Sequence, residues 1–207
     1  MRKTLAAALS AIVLLAGAAS AQPAVRAQDQ PSNWTIDPNH TAATFNVVHL
    51  GLSHVEGHFT KVSGTGYWNG EDYQDARLDV TIDVSSVDTR VERRDADLKS
   101  PNFFDVAQYP TMVFKSRRLR KKGNGHVEVL GDLTIHGVTR PVLLDTVLTG
   151  PVKDPWGNTR IGAHATTSVN RKDFGLLWNH TLDNGTAVVS DNVDITLDAE
   201  IFQPLPK

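Results

Sequence analysis

The chain has 207 residues, with 21 Lys and Arg against 23 Asp and Glu, and no Cys. Its slightly negative formal charge of −2 argues against a nucleic-acid binder, which needs clustered Lys and Arg. Without Cys there is neither a disulfide nor a lipid-attachment cysteine, so the fold must hold by its core alone.

The first residues read as an address. Arg2 and Lys3 precede an apolar run from Leu5 to Ala18, and Ala19-Ser20-Ala21 is a small-residue cleavage site. At about fourteen residues the run falls short of the roughly 20 that a spanning helix needs. Residues 1–21 are therefore expected to be a secretory signal peptide cut after Ala21, with a second candidate cut after Ala27. Residues 22–32, rich in Gln, Pro and Ala, read as a flexible leader. The remaining residues, about 185, suffice for one domain, placed at 33–204. No later stretch is long and apolar enough to span a membrane, so an integral membrane protein is not expected.

From there the dominant signal is a period of two. Residues 76–84 read A-R-L-D-V-T-I-D-V, which puts Ala76, Leu78, Val80, Ile82 and Val84 on one face. Eight extended segments are expected, at 34–50, 54–68, 76–84, 111–121, 126–135, 138–149, 159–170 and 186–202. Turn chemistry punctuates them at Asn69-Gly70-Glu71-Asp72, Gly123-Asn124-Gly125, Asp154-Pro155-Trp156-Gly157-Asn158 and Asp183-Asn184-Gly185. The basic run Arg117-Arg118-Leu119-Arg120-Lys121-Lys122 stops at one of these turns and reads as a solvated hairpin end. Short loops favour antiparallel neighbours. One connection differs. Thr89-Arg90-Val91-Glu92 is a capping box, the helix continues through Leu98-Lys99, and Ser100-Pro101 ends it. This short α-helix and the aromatic Asn102-Phe103-Phe104-Asp105 join strands three and four, where they would plug or lid one end.

Half-buried strands must hide their apolar faces in a sandwich or in a closed barrel. The fold class expected is all-β, an eight-stranded antiparallel barrel with one short helix, the two-sheet sandwich being the alternative. A barrel of eight strands is filled by its side chains or holds one small ligand. Ala163, Ala165, Gly131, Gly57, Gly64 and Gly66 hint at an unfilled interior, the strand-two glycines also suiting corners.

Other signals fail. His54 and His58 on one strand face lie about 13 Å apart, too far to chelate one ion, and no metal site is expected among His49, His54 and His58. Gly51-Leu52-Ser53-His54-Val55 lacks the second Gly of a nucleophile elbow. No carboxylate pair is marked as acid and base, so neither catalytic residues nor a cofactor are expected. The Asn-x-Thr strings at Asn33, Asn39, Asn179 and Asn184 are read as chance matches to glycosylation sequons.

Four stretches point in one direction. They are His49-Leu50-Gly51-Leu52-Ser53-His54-Val55-Glu56-Gly57-His58-Phe59; Arg94-Asp95 with Leu98-Lys99-Ser100 and Phe103-Phe104-Asp105; Gly131-Asp132-Leu133-Thr134-Ile135-His136-Gly137-Val138-Thr139-Arg140-Pro141; and Asn170-Arg171-Lys172-Asp173-Phe174-Gly175. In identity and order they resemble the YceI-like family of exported polyisoprenoid-binding proteins, over about residues 34–202. One departure is Ala163, where the family pattern has an aromatic residue, which would widen or reshape the cavity.

The resemblance implies a lipocalin-like barrel with an apolar channel for a long-chain amphiphile: an isoprenoid quinone, a polyprenyl phosphate or a fatty-acid derivative. It also implies a periplasmic or secreted location, often as a homodimer. By strand parity the candidate lining is Phe45, Val47 and Phe59 from the first two strands, and Leu78, Val80, Ile82 and Phe114 from the next two. Val129, Leu133, Ala163, Ala165, Val193 and Ile195 complete it. Candidates for fixing the head group are Arg94, Asp95, His136, Asn170 and Arg171, with an Arg–Asp clamp tying helix to rim as the structural alternative. Trp68 and Trp178 are candidates for the mouth. The rival function is a non-catalytic structural or stress-response interaction module whose barrel is filled.

Overall fold

The computed structural model describes residues 33–204. The expected signal peptide and leader, residues 1–32, lie outside the described residues. The chain runs through β1 (Trp34–His49), β2 (Ser53–Phe59), β3 (Val62–Tyr67), β4 (Arg77–Asp83), β5 (Val87–Asp88), α1 (Glu92–Lys99), β6 (Thr111–Gly123), β7 (His126–Ile135), β8 (Val138–Lys153), β9 (Thr159–Asn170) and β10 (Asn192–Gln203).

These ten hydrogen-bonded segments make eight staves. β2 and β3 both run antiparallel to β1 and are separated only by Thr60 and Lys61. β4 and β5 are parted by the 3-10 turn Val84–Ser86, whose start is fixed by the Asp83 carboxylate accepting from Ser85 N and Ser85 Oγ at 2.9 and 2.6 Å. The two breaks meet: Thr60 N donates to Ser86 O and Lys61 N to Ser86 Oγ. They form one corner of the barrel. From β3 the sheet continues through β4, β6, β7, β8, β9 and β10. β10 then pairs antiparallel with β1, Phe45 opposite Ile195. That pairing closes the sheet, which rules out the sandwich.

Local chemistry sets the ends. Ile135 and Val138 are joined through His136 and Gly137, both left-handed at φ 51° and 74°, the twist that lets a two-residue loop follow a right-handed hairpin. The β8–β9 turn is held by the Asp154 carboxylate, which accepts from Trp156 N and Asn158 N. At the basic run, Arg117 pairs with Asp132 at 2.6 Å, and Arg120 and Lys122 both pair with Glu128 across the β6–β7 hairpin.

Two expectations change. The last stave begins at Asn192 rather than 186, because the backbone before it is engaged elsewhere. Asn179 donates from Nδ2 to Val189 O and accepts from Val189 N, and Arg171 donates to Ser190 O. The capping box also does not form. Val91 is the residue before the helix and makes no side-chain cap. Thr89 instead turns its N–H and hydroxyl to the Asp95 carboxylate, at 2.9 and 2.5 Å. A carboxylate one turn into the helix accepts two bonds there, where Glu92 offers one.

Candidate functional site

The barrel is solid at one end and hollow at the other. At the foot, Trp34 is buried and its indole Nε1 donates to Trp68 O, while the Trp68 ring stacks on Tyr73 with centroids 5.2 Å apart. Arg160 closes the same end. It is ion-paired to Asp37 (2.7 Å), Asp154 (2.9 Å) and Glu200 (2.9 Å), and its cation lies over the Phe202 ring. The Arg160 guanidinium and the neighbouring His40 hold the Asp37 carboxyl down to about pKa 2. Asp37, His40 and Glu200 have the spacing of a metal site, but Arg160 already bonds both carboxylates and supplies the positive charge.

Above this plug lies a cavity of about 370 Å³ with an almost wholly apolar wall. Inward residues of the upper staves build it: Phe45 and Val47 from β1, Phe59 from β2, Leu78, Val80 and Ile82 from β4, Phe114 from β6, Leu133 from β7, Val193 and Ile195 from β10. Each was placed on this face by parity. Val142 and Leu144 of β8, Thr167 and Val169 of β9, and Met112, Ile135 and Leu197 also line it and were not among the candidates.

Val129, Ala163 and Ala165 do not reach the cavity. Their parity is right but they sit too low. Val129 and Ala165 are buried below it, and Ala163, opposite Ala199, leaves the cavity neither wider nor reshaped. The glycine argument is also corrected. A Cβ on Gly57 would overlap the Phe45 ring, one on Gly131 the Phe114 ring, and one on Gly64 would lie 2.7 Å from Ile36 Cδ1. Aromatic and aliphatic neighbours occupy the space these glycines vacate.

Two irregular segments roof the cavity. From one side come α1 and the turn after it, giving Leu98, Phe103 and Phe104; from the other comes the 171–189 segment, giving Phe174, Leu176, Trp178, Val188 and Val189. They meet where the Phe103 and Trp178 rings lie 5.0 Å apart. Trp178 is thus at the mouth, whereas Trp68 lies at the opposite, plugged end. Sequence periodicity finds little of this roof because irregular backbone carries no period. The short helix, the paired phenylalanines after it and Trp178 were its legible signs.

The polar candidates separate into two groups. Asp95, His136 and Asn170 do not line the cavity. Asp95 serves Thr89, His136 forms the β7–β8 turn against Tyr109 (centroids 4.4 Å apart), and Asn170 Oδ1 accepts from Lys172 N at 2.9 Å. Arg94 and Arg171 do line it. Arg171 is buried and committed to the roof. Nε donates to Ser190 O, Nη1 to Leu176 O and Trp178 O, and Nη2 to Asp191 Oδ1. Its burial pulls its pKa down, partly offset by Asp191. Arg94 makes no bidentate pair with Asp95. Its Nε and Nη2 donate to Thr89 Oγ1 and Thr89 O, each at 2.8 Å, and among the described residues no carboxylate ion-pairs with it. The Arg–Asp clamp is replaced by a three-way contact at Thr89. Of the three histidines, His54 Nδ1 lies 2.7 Å from Asn46 Oδ1 and His58 faces Asp88, while His49 lines the cavity.

The model of the YceI-like domain matches residues 34–201, all but the last two residues of this barrel. The chain belongs to the YceI-like family. A UPF0312 protein of Vibrio cholerae is 36% identical over 179 residues, covering 85% of this chain and 89% of that one. The crystal structure of a Campylobacter jejuni YCEI protein matches with a TM-score of 0.65 and 29% identity, over 76% of this chain and 90% of that one. A polyisoprenoid binding domain from Saccharophagus degradans, implicated in plant cell wall breakdown, matches with a TM-score of 0.64 at 17% identity, over 84% of this chain and all of that one. Its likeness is one of fold. Among the described residues, no helix is long and apolar enough to cross a membrane.

Proposed function

We propose that this YceI-like protein is an exported carrier that holds a long-chain amphiphile, its tail in the barrel cavity and its head at the Arg94 side of the mouth. The observation that carries this reading is the cavity, about 370 Å³ of apolar space beneath a roof of its own. That volume is within the range of small-molecule sites, about 300–1,000 Å³. Each methylene buried there contributes about 0.8 kcal/mol before ordering costs. An open upper barrel weighs against an interaction module with a filled core. The likeness to the Saccharophagus polyisoprenoid binding domain supports an isoprenoid as the tail, whether of a quinone or of a polyprenyl phosphate.

Arg94 is the better-placed head-group donor. Arg171 spends most of its N–H groups on the roof, whereas Arg94, which lines the cavity, has no hydrogen-bond partner for Nη1 among the described residues. The periplasm, or secretion, is the proposed location, supported by the Arg2-Lys3 start, the apolar run and the Ala19-Ser20-Ala21 site. N-terminal sequencing of the exported protein should then begin at Gln22. Mass spectrometry of protein purified from its native host under mild conditions tests the carrier reading. Co-purification of a long-chain amphiphile is expected, and repeated recovery free of any such lipid overturns it. With a bound lipid in hand, Arg94→Gln is expected to weaken anionic amphiphiles roughly tenfold, the loss of one charge-assisted bond, while leaving neutral ones within about threefold.

A further inference from the structure

The cavity has a floor. On β10 the inward residues Val193, Ile195 and Leu197 face it, but Ala199 does not; on β9 Thr167 and Val169 do, but Ala165 does not. On β8 it stops at Leu144, with Thr146 below, and on β7 at Leu133. The stop on β7 has a visible cause. Gly131 leaves its place to the ring of Phe114, which packs over it and lines the cavity. Beneath it Val127, Val129 and Ile36 are buried in one packed cluster. The open depth along β10, from Val193 to Leu197, is about 13 Å.

The geometry points to a carrier that selects its ligand by tail length, with Phe114 over Gly131 as the stop. The inference rests on the lipid-binding reading above and adds a limit to it. A dry protein cavity of about 150 Å³ holds one benzene ring, so at the same packing the 370 Å³ here holds a hydrocarbon of about fifteen carbons, or three isoprene units. A tail of that length fills the space from mouth to floor. A longer one leaves its remaining units outside the barrel, where they bury no further surface against this protein and add no affinity.

Calorimetric titration of geranyl, farnesyl and geranylgeranyl monophosphate, with two, three and four isoprene units, tests the limit. The step from two units to three is expected to tighten binding at least about tenfold. The step from three to four is expected to change it less than about threefold. A further tenfold gain at four units overturns the length limit while leaving lipid binding intact. An absence of binding by all three overturns both. Two variants move the stop in opposite directions. Phe114→Leu lowers the floor and should carry the gain on to four units. Leu197→Phe fills the base of the cavity and should end it at two, and it serves as the test should Phe114→Leu fail to fold. A folded Leu197→Phe protein whose affinities still climb to three units overturns the assignment of the floor.

Discussion

A methyl group at Gly57 would collide with both the Phe45 ring and the Thr89 side chain. Gly57→Ala is therefore expected to destabilise the protein by about 1–3 kcal/mol, read by urea unfolding, and to push Phe45 toward the cavity and weaken any ligand there. Thr146 is the opposite case. It is buried below the cavity floor and its hydroxyl has no hydrogen-bond partner among the described residues. Thr146→Val keeps the shape and removes that polar atom, so a gain of about 1 kcal/mol is expected in the same assay. Asp37 supplies a pH dependence. Its carboxyl is held at about 2 against an ordinary 3.8 by Arg160 and His40. A depressed folded-state pKa gives stability that is present above the unfolded value and lost as pH falls through the folded one. Stability should thus decline between about pH 4 and 2, and Asp37→Asn should flatten that slope in urea titrations at stepped pH. The residue scale was the least legible in sequence. Asp95, Asn170 and Arg171 stood out as polar positions in marked motifs, but only their bonds show that the first two fasten local turns and the third fastens the roof.

Among the elements, the staves were the easiest to read. β7 has the bounds predicted for it and β1 differs by one residue, because an alternating apolar face and a turn residue on either side leave a strand few other registers. The elements that broke the pattern were harder. The roof segment between β9 and β10 has little repeating apolar order, and its shape comes from side chains that bind backbone. Arg171 alone fixes Leu176, Trp178 and Ser190 by their carbonyls. A lysine has one compact ammonium and cannot fork in this way. Arg171→Lys is expected to speed amide exchange across residues 176–191 by at least about tenfold, roughly the loss of one net hydrogen bond or more, with the β6–β8 amides unchanged. Equal acceleration throughout would mean that Arg171 supports the whole barrel rather than its roof.

The molecule as a whole is a barrel whose lower half is core and whose upper half is vessel. A ligand that binds only the folded state raises its stability by about 2.7 kcal/mol at a hundredfold excess over Kd, so delipidated protein should melt at a lower temperature and recover when an amphiphile is restored. The sequence by itself determined the number of staves, their antiparallel order and the face each residue presents, because alternation with period two is a local property of the chain. It also carried the family, through motifs lying in the hairpins, the helix and the turn after β9. What only the tertiary structure decided was the level at which the interior changes from packed to empty, and which cation at the mouth keeps a donor to spare. Both depend on how side chains from staves distant in sequence meet: Phe114 swinging over Gly131, Phe45 over Gly57, and Arg171 drawn into the roof while Arg94 stays beside the cavity. Parity assigns a side, but height along the bore is set by the volumes of neighbours that become neighbours only once the barrel closes.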